Sequence, residues 1–169
     1  MLARVIYTGI AIPDWRQGFI RATQIGCLAA LFALLIAFIL SRIIPEGPGS
    51  LAGSELFQRG STTAVLLVAL IWAPCFETLV GQMLPVGFVR LFSRADVPAV
   101  LCSGLVFGLG HMAGGGGVMQ GVFTAIIGSI LASVYVANIA FGAFRASILT
   151  AWTHCVHNAL VLAAAMSLS

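Results

Sequence analysis

Long apolar segments with almost no charge constrain this chain more than any other feature. A helix that crosses a bilayer needs about 20 consecutive apolar residues, and five segments meet or approach that length. Only 8% of the 169 residues are charged, whereas soluble domains carry about 25%. We therefore predict an all-α, polytopic membrane helical bundle of about five transmembrane helices. The predicted spans are residues 22–44, 62–92, 97–112, 118–141 and 145–168.

The residues before the first span mix arginines with aromatic side chains, as segments at a membrane interface do. We predict an interfacial segment at residues 1–21 and a transmembrane core at residues 22–169. If the spans alternate, six arginines fall on the side of the N-terminus and two on the other, which predicts a cytoplasmic N-terminus. The net charge of +3 is spread along the chain, so the expected surroundings are the lipid bilayer and no nucleic acid. The six arginines on the side of the N-terminus are Arg4, Arg16, Arg21, Arg90, Arg94 and Arg145. The two on the other side are Arg42 and Arg59.

Few ionisable residues lie within the predicted spans, and their cost in lipid marks them as candidates for a functional site. Glu77 is the only acid in a span, and His111, His154 and His157 are the only histidines in the chain. His154 and Asn158 are one helical turn apart and share a helix face. A lone histidine often only hydrogen-bonds to a neighbouring helix. A glutamate, two histidines and an asparagine on three helices favour a functional site.

The depths of two of these side chains can be compared. If the second and third spans form a hairpin that turns near Ala95, Glu77 lies before the turn by nearly the same separation as His111 lies after it. These separations are about 27 and 24 Å along the helices, so we expect the two side chains to meet. Gly81, one turn after Glu77, is expected to leave room beside the carboxylate.

Glycines and other small residues punctuate the third and fourth spans. Gly114–Gly117 closely follow His111 and predict a break in the helix at membrane depth, where irregular backbone is tolerated only if it is buried in protein or lines a cavity. An ordinary flexible connector is the alternative. Gly104 and Gly108, together with a row of small residues on the fourth span, predict close helix packing. The row is Ala125, Ser129, Ser133 and Ala137.

Cysteine chemistry and a bound metal are two further possibilities. The four cysteines form no CxxC pair and are expected to act as small buried hydrophobes. One carboxylate and two histidines form the ligand set of some catalytic zinc sites, so Glu77, His111 and His154 leave a divalent metal such as zinc open. Metal-free chemistry is preferred because Asn158 is a poor zinc ligand and a good hydrogen-bond donor. The cysteines are Cys27, Cys75, Cys102 and Cys155.

Three short motifs, in order, resemble the CAAX-protease and bacteriocin-processing (CPBP) family of intramembrane proteases, which includes the Rce-type prenyl-protein proteases. That family carries EExxxR, FxxxH and HxxxN on separate membrane helices. Here "ETLVGQ" begins at Glu77, "FGLGH" runs from Phe107 to His111, and "HCVHN" runs from His154 to Asn158. The resemblance covers roughly residues 66–162.

The first motif departs from the family pattern. Thr78 stands where the second glutamate would be, and Gln82 stands where the arginine would be. The exchange removes one charge of each sign, as expected if those two family side chains mainly support each other. It argues against a standard prenyl-protein protease. Thr78, Gln82 and Phe107 are predicted to support the site.

The resemblance implies a glutamic intramembrane protease. Glu77 would be the general base that deprotonates a water molecule. His111 and Asn158 would donate hydrogen bonds to the oxyanion. His154 would orient the water, a role that His157 could also take.

The predicted function is therefore an intramembrane endopeptidase that acts on a membrane-anchored protein or peptide. A C-terminal sorting tail is preferred as substrate, as in myxosortase-like members of the family, in a bacterial cytoplasmic membrane. A rhomboid-type serine protease is disfavoured because the chain has no GxS motif typical of its nucleophile. A non-catalytic binding or immunity-type membrane protein, or a small transporter, is the alternative. A bis-histidine haem carrier would leave Glu77 unexplained.

Overall fold

The computed structural model describes residues 14–43 and 61–167, which form five helices. No strand occurs in these two ranges, so the prediction of an all-α fold is confirmed. The helices are α1 (Trp15–Ile43), α2 (Thr62–Arg90), α3 (Asp96–His111), α4 (Gly117–Asn138) and α5 (Ala143–Ser167).

Four helical stretches in the described ranges are long and apolar enough to cross a membrane. They are α1, α2, α5 and the 46-residue stretch Asp96–Phe141, which contains both α3 and α4. These helices expose many large apolar side chains, as the lipid-facing surfaces of membrane proteins do. The chain is therefore an integral membrane protein, and its five helices overlap the five predicted spans.

The chain reverses direction between α3 and α4 at the glycines after His111. Gly115 has φ +97° and Gly117 has φ +71°, values in the left-handed region that glycine adopts without a steric penalty. The helix break predicted at this point is confirmed. It makes α3 and α4 an antiparallel hairpin.

Small residues allow the two helices of this hairpin to approach closely. A Cβ atom added at Gly104 would collide with Ala125 and Ser129, and one added at Gly108 would collide with Gly121. The predicted close packing is confirmed for Gly104 and Gly108 against Ala125 and Ser129 of the row. The Ser129 hydroxyl donates to the Ala125 carbonyl within its own helix at 2.9 Å, so it adds no unpaired polar group to the contact.

Helix α1 runs parallel to α5 and packs along its first half. A Cβ at Gly18 would lie 3.1 Å from Leu149 Cδ1, and one at Gly26 would lie 2.7 Å from the Thr153 carbonyl oxygen. The Trp152 indole N–H donates to the Thr23 hydroxyl at 2.9 Å. The order of contacts along the two helices fixes their common direction.

Five of the six arginines in the described ranges lie at one end of the bundle, which we call the arginine end. Arg145 Nη2 donates to the Asp14 carbonyl at 3.2 Å, which joins the starts of α5 and α1. A core cluster that includes Val86, Ala99, Val136 and Ala146 joins the ends of α2 and α4 to the starts of α3 and α5. The five are Arg16, Arg21, Arg90, Arg94 and Arg145, whereas Arg42 ends α1 at the opposite end.

The start of α1 differs from the prediction. The helix begins at Trp15, so residues 15–21 are its first turns and do not form a separate interfacial segment. The Asp14 carboxylate accepts from the Arg16 backbone N–H at 3.1 Å, as a helix-capping side chain does. Residues 1–13 of the predicted segment, with Arg4, lie outside the described residues, as does Arg59.

Candidate active site

Glu77 in α2 meets two histidines from two other helices. Its Oε2 atom lies 3.9 Å from His111 Nε2 and 3.8 Å from His154 Nε2. The side chains of Glu77 and His111 are each 28% exposed, whereas that of His154 is 5% exposed. Both distances exceed the roughly 3.2 Å limit of a direct N–H···O hydrogen bond. The three groups therefore surround a common point without pairing directly, and the predicted meeting of Glu77 with His111 is confirmed.

The positions of these residues along their helices explain why they meet. Helix α3 runs from Asp96 at the arginine end to His111, and α5 starts at Ala143 and passes His154 near its middle. At the rise of an α-helix, His111 and His154 lie about 22 and 16 Å from the arginine end. Glu77 lies about 20 Å before the end of α2 by the same measure. The cluster therefore lies well inside an apolar layer about 30 Å thick.

The backbone fixes the tautomer of His111. Its Nδ1 atom lies 2.9 Å from the Phe107 carbonyl oxygen, and a carbonyl oxygen only accepts hydrogen bonds. Nδ1 therefore carries a proton and donates it to this bond. In the neutral ring, Nε2 is then an acceptor facing Glu77. The oxyanion-donor role that the resemblance implies for His111 requires the doubly protonated ring.

Phe107 supports both histidines. Its ring stacks on His111 with centroids 4.6 Å apart and contacts His154 edge-on at 5.8 Å. Two glycines from neighbouring helices make room for it. An added Cβ would lie 2.7 Å from Phe107 Cδ2 at Gly81, and 2.6 Å from Phe107 Cβ at Gly128. The room predicted at Gly81 therefore exists, but the Phe107 ring occupies it.

Substitution of Gly128 by alanine is expected to destabilise the protein and disturb the site. The new methyl group would clash with Phe107 Cβ, which cannot move without its backbone, and such overpacking costs about 1–3 kcal/mol. Thermal unfolding in detergent measures the loss. Gly87→Ala is the matched control, because its Cβ would meet nothing within 4 Å. Equal stability of the two variants would contradict the proposed role of Gly128.

Asn158 donates a hydrogen bond to a backbone carbonyl of α2. That carbonyl has no partner within its own helix because of a nearby proline. Helix α2 contains π-helical stretches at Val68–Trp72 and Thr78–Met83, and a proline lies shortly after each. Pro74 has no N–H to offer the carbonyls of the preceding turn, which include that of Ala69. Asn158 Nδ2 donates to the Ala69 carbonyl at 2.8 Å. Asn158 thus ties α5 to α2 and keeps one amide N–H for another acceptor.

A second carbonyl group freed by a proline, at the next π-helical stretch, also accepts a hydrogen bond from another helix. Pro85 cannot donate to the Gly81 carbonyl, and the buried Ser103 hydroxyl of α3 donates to it instead. Short π-helical turns are frequent at functional sites, and here the two stretches flank Glu77. The roles of Pro74, Pro85 and Ser103 were not predicted from the sequence. The available signal was a proline inside an apolar span, which implies an unpaired carbonyl and a donor from another helix.

Thr78 and Gln82 lie inside the bundle, as the prediction of a supporting role requires. Their exposed fractions are 2% and 0%, and they are one turn apart on α2. The Thr78 hydroxyl and both polar atoms of the Gln82 amide are buried without a hydrogen-bond partner in the described part of the chain. The positions that differ from the family motif are therefore neutral, polar and fully enclosed.

His157 and the cysteines lie outside the Glu77 cluster. His157 is buried with its ring centroid 6.5 Å from that of His154. Within the described ranges, His111 and His154 are the two histidines with a ring nitrogen within 4.0 Å of the Glu77 carboxylate. The four cysteines are all free. Cys75 is exposed and the other three are partly exposed, so the expectation that they are buried hydrophobes is wrong.

The arrangement does not fit a metal ion. In the two described ranges, no group of three His, Cys, Asp or Glu side chains is placed so that it could hold one. Ligands that share a zinc ion at about 2.0–2.1 Å lie closer together than the 3.8 and 3.9 Å found between Glu77 and the two histidines.

Within the described residues, the helices around the site end at different levels on the side away from the arginine end. There α3 and α4 stop at their glycine turn, whereas α5 continues past His154 to Ser167 and α2 begins at Thr62, well before Glu77. Both extensions reach about 20 Å beyond the level of the cluster. Gly114, Gly115 and Gly117 are exposed. The short hairpin thus leaves the Glu77 and His111 side chains partly exposed next to a glycine backbone that a ligand can approach closely.

Comparison with models of known protein families gave no match, and comparisons with curated proteins and with solved structures gave none either.

Proposed function

We propose that this protein is an intramembrane endopeptidase that uses Glu77 to activate water. The observation that carries the proposal is the convergence of Glu77, His111 and His154 from three helices at one depth, with 3.8 and 3.9 Å between the carboxylate and the two rings. Ionisable groups are costly inside lipid. Three of them facing one point, partly open to the surroundings, favour chemistry over packing.

Water activation follows from the roles available to these atoms. A water molecule about 2.8 Å from Glu77 Oε2 and from His111 Nε2 would donate one hydrogen bond to each. Its lone pair is then directed at the carbonyl carbon of a bound peptide. Glu77 removes a proton as the oxygen attacks, and the same carboxyl group later delivers that proton to the leaving amine. The peptide C–N bond breaks, and water supplies the new carboxyl oxygen and the amine proton.

The oxyanion that forms when water attacks the peptide carbonyl needs hydrogen-bond donors in a low-dielectric site. Asn158 supplies the amide N–H that it does not use on Ala69, and His154 supplies an N–H from its buried ring. His111 orients the water, because the hydrogen bond to Phe107 makes its Nε2 an acceptor. This assignment exchanges the roles of His111 and His154 relative to those that the CPBP resemblance implies.

The resemblance and the arginine distribution support a wider proposal about class and location. The three CPBP-like motifs supply the three groups of side chains in this site, so we assign the chain to that class of protease. Positively charged residues favour the cytoplasmic side, and five of six described arginines are at the arginine end. We place that end and the N-terminus in the cytoplasm of a bacterium, with the protein in its inner membrane.

The substrate proposed is a protein or peptide anchored in the same membrane, such as a C-terminal sorting tail. Its scissile bond would reach Glu77 past the glycine turn, where the α3–α4 hairpin is short. An extended segment fits this position, because a protease needs a peptide carbonyl that is not enclosed in a helix.

Terminal-peptide mass spectrometry in ¹⁸O-labelled water tests hydrolysis. Purified protein in proteoliposomes is incubated with membranes from cells that lack it. The proposal predicts paired new amino and carboxyl termini at one peptide bond, with one ¹⁸O atom in each new carboxyl group. Unchanged termini, with the purified protein shown to be folded, would favour the non-catalytic binding or transport alternative.

Metal chelators are expected to leave the cleavage rate unchanged within about twofold, since the residues at the site do not fit a metal ion. The measurement is the same cleavage assay after dialysis against 1,10-phenanthroline. Loss of cleavage that added zinc restores would overturn the glutamic mechanism and support a metalloprotease that uses Glu77, His111 and His154.

A further inference from the structure

Four buried polar residues lie on α2 and α5, the two helices that carry Glu77 and His154. Thr78 and Gln82 belong to α2, and Thr150 and His154 belong to α5. None of them is more than 4% exposed. We call these four residues the polar seam.

Two contacts fix the position of the polar seam. At one end, Glu77 Oε2 lies 3.8 Å from His154 Nε2. At the other, the Ser147 hydroxyl donates to Met83 Sδ at 3.9 Å. Residues 78 and 82 lie between the two contact positions on α2, and residue 150 lies between those on α5. The antiparallel helices therefore bring these side chains to the same level, and the seam leads from the site toward the arginine end.

Five polar atoms of the polar seam have no hydrogen-bond partner in the described residues. They are Thr78 Oγ1, Gln82 Nε2 and Oε1, Thr150 Oγ1 and His154 Nδ1. A buried polar group without a partner is strongly unfavourable, and native proteins satisfy nearly all of them with protein or ordered water. Five such atoms in one contact point to a shared ligand.

The two threonines differ from other threonines of the bundle. Hydroxyls inside membrane helices commonly bond to the carbonyl four residues earlier. Thr153 does so to Leu149 at 2.8 Å, and Thr124 does so to Gln120 at 2.8 Å. Thr78 and Thr150 make no such bond, so their hydroxyls remain available to a ligand between the helices.

We propose that the polar seam binds ordered water molecules that bridge α2 and α5 and reach the Glu77 carboxylate. Water is the ligand that fits, because it donates and accepts, and each buried water needs two to four polar partners. The seam supplies hydroxyls, an amide and an imidazole nitrogen, and it holds no acidic or basic side chain besides that imidazole that would select an ion. Its use as a source of water for hydrolysis rests on the proposed function, whereas the binding itself does not.

Water-edited solid-state NMR of the full-length protein in bilayers tests the proposal without any activity assay. Glutamine is labelled with ¹⁵N, and the Gln82 side-chain signal is identified by its loss in Gln82→Met. We expect magnetisation from water to reach this amide nearly as fast as that of Gln120, which is partly exposed. Absence of transfer to Gln82, with transfer to Gln120 intact, would show a dry seam and overturn the proposal.

A matched pair of variants locates the water. Thr150→Val is expected to slow the transfer to Gln82 several-fold, because it removes one partner of the bound water. Thr153→Val should leave the transfer unchanged, since that equally buried hydroxyl is bonded to its own helix. Thr150→Val should also lower the unfolding temperature. A rise in that temperature, expected when an unpaired hydroxyl is replaced by a methyl group, would contradict bound water.

Discussion

Replacing Glu77 with glutamine is expected to lower the cleavage rate by about 10²- to 10⁴-fold while leaving the protein folded. Glutamine has the shape of glutamate, so it can keep the position beside His111 and His154. It cannot take a proton from water or pass one to the leaving amine. The measurement is the single-turnover rate on the substrate that the terminal-peptide experiment identifies.

The matched control removes a different carboxylate. Asp96 forms a partly exposed ion pair with Arg90 at the arginine end, about 20 Å along α2 from the level of Glu77. Asp96→Asn should therefore cleave at close to the wild-type rate. If Glu77→Gln retained cleavage, or if both variants lost it equally, Glu77 would not be the general base.

Introducing a single charge at Thr78 or Gln82 is expected to destabilise the protein by about 3–5 kcal/mol, because the charge would be buried without a partner. Thr78→Glu and Gln82→Arg each do this alone. The double variant places the two charges one turn apart on α2 and recreates the pair in the family motif. We expect it to be more stable than either single variant, with a coupling energy of about 2 kcal/mol or more from a double-mutant cycle.

A further variant tests whether the recovery of stability in the double variant is specific to positions 78 and 82. Thr153→Glu places a carboxylate in an equally buried position on α5, outside the motif. Combined with Gln82→Arg it should give no comparable recovery. Additive losses in the Thr78 and Gln82 pair would contradict the inference that the two family side chains support each other, and would count against the proposed membership of the CPBP class.

Much of the fold could be predicted because lipid imposes simple rules. Apolar length predicted the helices, and the glycines after His111 predicted the reversal, since four consecutive glycines leave little to hold a helix. The depth comparison succeeded because α2 and α3 are joined by a short turn, so separations along the chain convert directly into height. The start of α1 was less well predicted, because arginine and aromatic side chains are as compatible with a first helical turn as with an interfacial segment.

The interior contacts could not be predicted from one sequence. Gly81 signalled that something approaches closely, but only the packing of α3 against α2 shows that it is Phe107. The carbonyl groups freed by Pro74 and Pro85 need donors, and the choice of Asn158 and Ser103 depends on how three helices align. The role of His111 likewise changed only when its Nδ1 bond to the backbone was known.

Cleavage inside cells by wild type and by Glu77→Gln is the most direct test of the central claim. Terminal peptides from membrane proteins would be compared in a strain that lacks the protein and in strains that carry either form at equal level. The account predicts new termini that require wild type and are absent with Glu77→Gln. Identical termini in the wild-type and Glu77→Gln strains, with both proteins folded in the membrane, would contradict it.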